Sequence, residues 1–429
     1  MGYCVSLSIH WTADRAQMFA LFLESLIAYV ELVWRTFAER RSRPSLWGAL
    51  TMAVFIPLFT LVQALHWLGF LFDEVLFRGY RQVPVRQPVF VLGPPRSGTT
   101  LVHRVLARDE QFTTLRTWEC LFAPSVTQRR FYRALGRLDR WLGGYVGRGI
   151  HRVGRRVTGS LDTVHAMRLE APEEDYLTLT PILACFILVL PFPFADRLWR
   201  LGLFDRDIPQ VTRSRILAFY RKNLQRHLYV HGPEKRLLSK NASFGAWAGA
   251  LRDTFPDASF LCCMRDPVET LPSQLSAVRG GVTLFDSARG DASSLSERFT
   301  EVLAFHYRNL LRVLVPMESE RRTFLPMERL VLALEETIRD AYRTIQLPLS
   351  DAFKAVLHEE AAAHRGYRSP HGYDLADTGL DAKTMRLRFA PYYAWRETGT
   401  GASNANGAAR AKREAYRGAH PSTVQVERP

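Results

Sequence analysis

Lysine is nearly missing from this chain. Almost all of its 57 basic residues are Arg, and against 42 acidic residues they leave a net charge of +15. Cysteine is sparse too. The five (Cys4, Cys120, Cys185, Cys262 and Cys263) are odd in number and form no CxxC pair. That excludes a disulfide framework and a zinc site of the usual spacing, and it favours a reducing compartment. No secretory leader fits the first residues, because Asp14 and Glu24 interrupt them. From Trp47 to Phe72 there is no Asp, Glu, Lys or Arg at all. A helix of that length reaches across a bilayer at ~1.5 Å per residue, and Pro57 within it is tolerated in membrane helices. Arg35, Arg40, Arg41 and Arg43 precede the run, and Trp47 and Trp67 suit its interfaces. The segment reads as membrane-associating; the alternative is a fully buried core helix.

What is present fits 429 residues organised around one large α/β unit. Residues 16–38 read as a helix with Glu24 and Glu31 on one face and Phe19, Phe22, Leu23, Leu26, Ile27 and Val30 on the others. Residues 1–82 are therefore taken as hydrophobic N-terminal helices, 83–396 as the catalytic domain, and 397–429, rich in Gly, Ala, Ser, Asn and Arg, as a disordered tail. Within 83–396, short apolar runs at Pro88–Leu92, Arg236–Ser239, Ser259–Met264 and Thr323–Pro326 read as strands. Thr99–Arg108, Phe244–Phe255, Val268–Val278, 297–315 and Glu328–Thr344 read as helices. That alternation predicts a P-loop-type three-layer α/β fold with a central parallel sheet. The adjacent Cys262 and Cys263 should point to opposite faces of their strand. Nine Arg between Ser125 and Leu161 face one acid, Asp139. They read either as a solvated helix face or as a patch for anionic lipid or an anionic acceptor. Leu177–Ala195 is apolar, but Pro181, Pro191 and Pro193 argue against a spanning helix.

Gly93-Pro94-Pro95-Arg96-Ser97-Gly98-Thr99-Thr100 follows the first strand and opens a helix. Two glycines five apart let backbone N–H groups turn inward, and the helix N-terminus presents positive potential to an anion. In a nucleotide hydrolase a Lys follows the second glycine and reaches the outer phosphates. Here Thr99 stands in that place and Arg96 supplies the charge, which suits one phosphate with a leaving group better than a triphosphate with magnesium.

The segment PVFVLGPPRSGTTLVHRVLA resembles the 5′-phosphosulfate loop of the sulfotransferase superfamily, in the branch whose loop reads PRSGTT. Two more blocks are similar to that family: SFLCCMRDPVETLPS, with Arg265 and Ser273 at the places of its 3′-phosphate motif, and Leu237-Leu238-Ser239-Lys240-Asn241. The likeness runs with gaps from about residue 88 to 396, including Tyr373-Asp374-Leu375 and Gly379-Leu380, and does not cover the first 80 residues. It implies a co-substrate, 3′-phosphoadenosine 5′-phosphosulfate (PAPS), held by Pro95, Arg96, Ser97, Gly98, Thr99, Thr100, Arg265 and Ser273. It also implies transfer to an acceptor hydroxyl, with no metal; the hydrophobic N-terminus, the apolar 177–195 stretch and the Arg run suggest a lipid or glycolipid hydroxyl, with a carbohydrate or small hydroxylated metabolite as the alternative. Arg96 and Lys240 would stabilise the departing phosphate. Glu119, beside Trp118, would be the base, its pKa raised by apolar neighbours; Glu170, Glu173 and Glu174 are the other candidates. His103 reads as structural. The rival readings are a P-loop kinase or nucleotide hydrolase, and a non-enzymatic basic membrane-bound binding protein. No nucleic acid is expected as partner. Membrane association is expected: a single span would put the catalytic domain outside the cytoplasm, and a hairpin or embedded helix pair, the favoured reading, would keep it on the cytoplasmic face.

Overall fold

The structure, a computed structural model, describes residues 2–38, 45–145, 169–288, 292–364 and 382–397. Arg40, Arg41, Arg43, Arg148, Arg152, Arg155, Arg156, the 373–380 blocks of the family likeness and the tail from 398 lie outside them.

Among the described residues five strands form the sheet: β1 (Val89–Leu92), β2 (Phe112–Thr113), β3 (Arg236–Lys240), β4 (Ser259–Met264) and β5 (Arg322–Pro326). Their order is β2-β3-β1-β4-β5 and every pairing is parallel. Helices cover both faces, so strands such as VFVL and FLCCM are apolar throughout rather than alternating. Val89, Val91, Leu261 and Cys263 pack on one side against Val102 and Leu106, and against Ile338 and Tyr342. Phe90, Leu92, Phe260 and Cys262 pack on the other, with Leu224, Phe244, Leu251 and Tyr307. This is the expected three-layer α/β fold, with Cys262 and Cys263 on opposite faces. Cys120, Cys185, Cys262 and Cys263 are buried and free.

Three elements differ from the sequence reading. The helix expected at Phe244–Phe255 is a 3-10 turn, Ser243–Trp247, followed by a short α-helix, Ala248–Thr254. The N–H groups of Gly249 and Ala250 are drawn to the Asp205 carboxylate at 2.7 and 3.1 Å. The helix expected at Glu328–Thr344 breaks at Ala333, whose φ/ψ of −146°/56° is not helical, into Met327–Leu332 and Leu334–Thr344. A 22-residue helix, Gln210–His231, also crosses one face of the sheet. Leu177–Ala195 forms 3-10 turns rather than a long helix, as its prolines require.

At the N-terminus, α1 (Gly2–Ala38) and α2 (Leu46–Leu76) are long and apolar enough to cross a membrane. Ser45 caps α2 by accepting from Gly48 N at 3.1 Å. Beyond the uncharged run, α2 carries Asp73 and Glu74, both buried. Asp73 accepts from Val126 N and Thr127 N, at 2.9 and 2.8 Å, and so caps the helix α5 (Val126–Trp141). The fully buried Arg226 donates to Asp73 at 2.9 Å and to Glu74 at 3.3 Å. Gly69 lies so close to Ser125 that a Cβ would fall 2.4 Å from its Oγ. Polar and close-packed contacts thus tie the hairpin to the sheet domain.

Candidate active site

The loop after β1 sits where strand order favours a ligand. The central strand β1 has β3 and β4 on either side, so the loops leaving their carboxyl ends meet. Gly93 has φ +154°, and a Cβ there would lie 2.4 Å from Cys263 O, so no side chain fits. Arg96 and Gly98 take left-handed backbone, at φ 67° and 95°. Buried Ser97 closes the turn, its Oγ donating to Pro94 O at 2.7 Å. The helix α3 (Thr99–Leu106) then begins with no side-chain cap, leaving its first-turn N–H groups for a ligand. Thr99 is buried; Pro95 and Thr100 are half-buried.

Two motifs far apart in sequence converge here. Arg96 Nε donates to Ser273 Oγ at 3.0 Å, and Arg265 Nη1 donates to Arg96 O at 3.1 Å. Arg265 stands at the end of β4 and also pairs with Glu269 at 2.9 Å. Ser273 lies on the following helix, Pro267–Phe285. Asp266 is engaged otherwise. It caps that helix through Val268 N at 3.1 Å and receives Tyr393 Oη at 2.9 Å and Arg396 Nη1 at 2.8 Å. At the end of β3, the 5% exposed Lys240 donates to Glu174 Oε1 at 2.7 Å. Beside it, Asp175 accepts from Tyr220 Oη at 2.7 Å and from Asn241 Nδ2 at 3.2 Å. Burial pushes the Asp175 carboxyl up to about 6.

Glu119 departs from expectation. It lies on α4 (Thr117–Phe122) with no solvent exposure. Burial alone would push its pKa up. The Arg129 charge 3.8 Å away, a 2.6 Å hydrogen bond with His231 and the nearness of His227 outweigh that and hold the carboxyl below the usual range. The expected upward shift is therefore reversed, because the groups that decide it, Arg129, His231 and His227, come from α5 and Gln210–His231 and not from the sequence around Trp118. Burial pushes the His227 imidazole well below its ordinary pKa, against the pull of the Glu119 carboxylate beside it. Glu119, His227 and His231 bring ligand atoms within 4.8 Å of one another. Arg129 and Arg133, 3.8 and 3.9 Å from the Glu119 carboxylate, already supply the positive charge there, which disfavours a further cation.

The other acids separate clearly. Glu170 forms an exposed pair with Arg116 at 2.5 Å. Glu173 accepts from Thr117 Oγ1 at 3.2 Å and from Glu174 N at 2.9 Å. Glu174 alone among them reaches a strand-end lysine. His103 is buried, with a 2.7 Å hydrogen bond to Thr114 Oγ1. Sequence reasoning missed Tyr307, whose Oη donates to Arg265 O at 2.7 Å, along with Tyr220, Tyr393 and Arg396. They arrive by tertiary folding and carry no local signal.

A family model described as the sulfotransferase family matches residues 88–351. The chain is 24% identical over 320 residues to the omega-hydroxy-beta-dihydromenaquinone-9 sulfotransferases of Mycobacterium bovis and Mycobacterium tuberculosis, covering 73% of this chain and 77% of theirs. Among solved structures it resembles the sulfotransferase STF1 from Mycobacterium tuberculosis, with TM-score 0.63 and 21% identity, covering 85% of this chain and 92% of that one. It also resembles the sulfotransferase STF9 from Mycobacterium avium, with TM-score 0.58 and 20% identity, over 76% and 80%.

Proposed function

This chain belongs to the sulfotransferase family, and from that premise we propose that it moves a sulfuryl group from PAPS to the hydroxyl of a membrane lipid. The observation that carries the donor assignment is the Arg96–Ser273–Arg265 junction. PAPS has a 5′-phosphosulfate and a 3′-phosphate. The loop Pro95–Thr100, with the N-terminus of α3, receives the first; Arg265 and Ser273 grip the second, the Arg through paired donors. The glycine positions fit a phosphate drawn close to backbone, and the uncapped start of α3 offers the donors.

In the reaction the acceptor oxygen attacks sulfur. The new O–S bond forms as the S–O bond to the 5′-phosphate breaks, the acceptor proton leaves to a base, and adenosine 3′,5′-bisphosphate departs. Arg96 and Lys240 stabilise the charge that grows on the leaving phosphate. For the base we favour Glu174 over Glu119. Glu174 is 20% exposed and in contact with Lys240, within reach of an acceptor. Glu119 is fully buried and held by Arg116 N and His231, and we assign it to anchoring α4. The proposal calls on no metal.

Three observations support a lipid acceptor. The mycobacterial relatives named above are sulfotransferases of a hydroxylated menaquinone. The hairpin is apolar. An apolar groove of about 770 Å³ between α1 and α2 is lined by Phe22, Phe59, Trp67, Phe70 and Leu183. The same reading keeps the enzyme at a membrane with its catalytic domain on the cytoplasmic face, where the free cysteines stay reduced. A kinase or nucleotide hydrolase is disfavoured by Thr99 in the lysine position. Calorimetric titration separates the readings: adenosine 3′,5′-bisphosphate binds and ATP competes poorly, whereas tight binding of ATP alone would remove the sulfotransferase assignment.

A further inference from the structure

We propose that α1, α2 and α5 together form one docking surface that lies in the plane of a single leaflet of a bilayer containing anionic phospholipid, and that α2 does not cross it. The proposal deepens the membrane-lipid reading above and rests on it.

The argument begins with what α2 already touches. Its 31 residues extend about 46 Å at ~1.5 Å per residue, longer than a hydrocarbon core of roughly 30 Å. A spanning helix needs lipid or apolar protein around its whole middle. Here the inner face is packed on the α/β domain from one end to the other. Met52 is buried, Phe55 meets Phe192 and Phe285 at ring distances of 6.2 and 5.1 Å, Trp67 Nε1 donates to Pro181 O at 3.2 Å, and Asp73 caps α5. Ser45 N at its start donates to Asp286 Oδ2 at 3.1 Å. Carrying α2 across a bilayer would carry the charged domain with it, at a cost no helix of this size offsets.

The outer face is unpartnered. Trp47, Leu50, Val54, Leu58, Leu61, Leu65, Leu68, Leu71 and Val75 are all exposed, recurring every three or four residues. On α1, Phe19, Leu26, Ile27, Val30 and Trp34 are exposed too. A soluble monomer rarely shows an apolar surface of this extent.

Charge then selects the occupant. The helix α5, joined to the last turns of α2 through Asp73, exposes Phe131, Leu135, Leu138, Trp141 and Leu142 on one face. Arg130 and Arg137 lie beside that stripe, Arg140 is exposed on the same helix, and Asp139 is the only acid in it, while Arg133 turns inward to His231. Arg130 lies 4.4 Å above the Phe77 ring, just past the end of α2, so the basic helix and the apolar helix meet. An apolar stripe bordered by Arg is the pattern of a helix lying at a headgroup boundary facing anionic lipid. A second copy of this chain would bring the same Arg residues into mutual repulsion.

The test uses the full chain. Leu50→Cys, Leu61→Cys and Leu71→Cys, each labelled with a fluorophore, are read on phosphatidylcholine vesicles with and without phosphatidylglycerol, using lipids with quenchers at two depths. The expected result is equal, shallow depth for all three sites. A deep Leu61 flanked by Leu50 and Leu71 at opposite surfaces would overturn the in-plane assignment. Reversing Arg137→Glu and Arg140→Glu together is expected to weaken binding to phosphatidylglycerol vesicles by about thirtyfold, roughly fivefold for each lost charge and more for the repulsion added. Unchanged binding would overturn the anionic component, and failure to bind vesicles while the chain forms dimers in lipid-free buffer would transfer the surface to a second copy. The parent reading fails separately: vesicle binding can persist while no lipid alcohol is sulfated, and sulfation of detergent-dispersed lipid can persist without vesicle binding.

Discussion

Replacing Arg265 by Ala perturbs the assigned donor site with little harm to the fold. In the free protein this side chain makes two contacts: the 3.1 Å bond to Arg96 O, and the pair with Glu269, where the partners' side chains are 22% and 44% exposed. The part-exposed pair contributes about 0.2–1 kcal/mol and the bond to Arg96 O about 0.5–1.5 kcal/mol, so the melting temperature should fall by no more than about 5 °C. The bound bisphosphate loses far more. A hydrogen bond between charged groups contributes about 1.5–3 kcal/mol, and at about 1.4 kcal/mol per tenfold the dissociation constant rises by about 10- to 150-fold. Calorimetric titration with adenosine 3′,5′-bisphosphate measures this directly. Glu269→Ala is the control. It removes the other half of the pair and leaves Arg265 in place, so affinity should stay within about threefold. A folded Arg265→Ala protein that binds the bisphosphate as the wild type does would refute the two-phosphate clamp.

Two further outcomes follow from the same geometry. Glu174→Gln should lower turnover by about 10²- to 10⁴-fold, the usual range for loss of a general base, with bisphosphate affinity preserved; if turnover instead survives in Glu174→Gln and vanishes in a thermally stable Glu119→Gln, the base is Glu119. Asp175 should make stability fall as pH rises. Its folded pKa of about 6 lies above the ordinary 3.8, so the native state favours the protonated acid; that contribution is complete below the unfolded value and is lost as pH passes through 6. Two pH units correspond to about 3 kcal/mol, so urea midpoints should show Asp175→Asn gaining on the wild type by that order between pH 4 and pH 7; a constant gap would show that burial does not shift this group.

Four of the five strands and the glycine-rich loop after the first of them were legible because each is local. Pro88–Leu92 and Ser259–Met264 are apolar runs bounded by Pro and Gly, and a strand–glycine–helix succession has one natural reading. The pairing of Arg96 with Ser273 was legible only through the likeness to a known family, since 177 residues separate them. The environment of Glu119 was not legible at all. The sequence shows Trp118 and Leu121 as its neighbours, while the groups that decide its ionisation, Arg129, His227 and His231, arrive from two other helices. The same holds for Asp266, which looks like a partner for adjacent Arg265 but is held by Tyr393 and Arg396 from the far end of the domain. Extended sheet pairing hides likewise. The two-residue β2 is too short to carry a pattern, and β3 determines where it lies.

The central claim is sulfuryl transfer from PAPS to a lipid hydroxyl. The measurement that meets it head-on supplies the purified full chain with sulfur-labelled PAPS and a detergent-dispersed polyprenyl alcohol, then follows label in the organic phase and bisphosphate in the aqueous phase. The account predicts that labelled lipid and bisphosphate appear in equal amounts, and that both disappear with the Arg96→Ala protein. Bisphosphate released with free sulfate at the same rate whether or not the alcohol is present would contradict it.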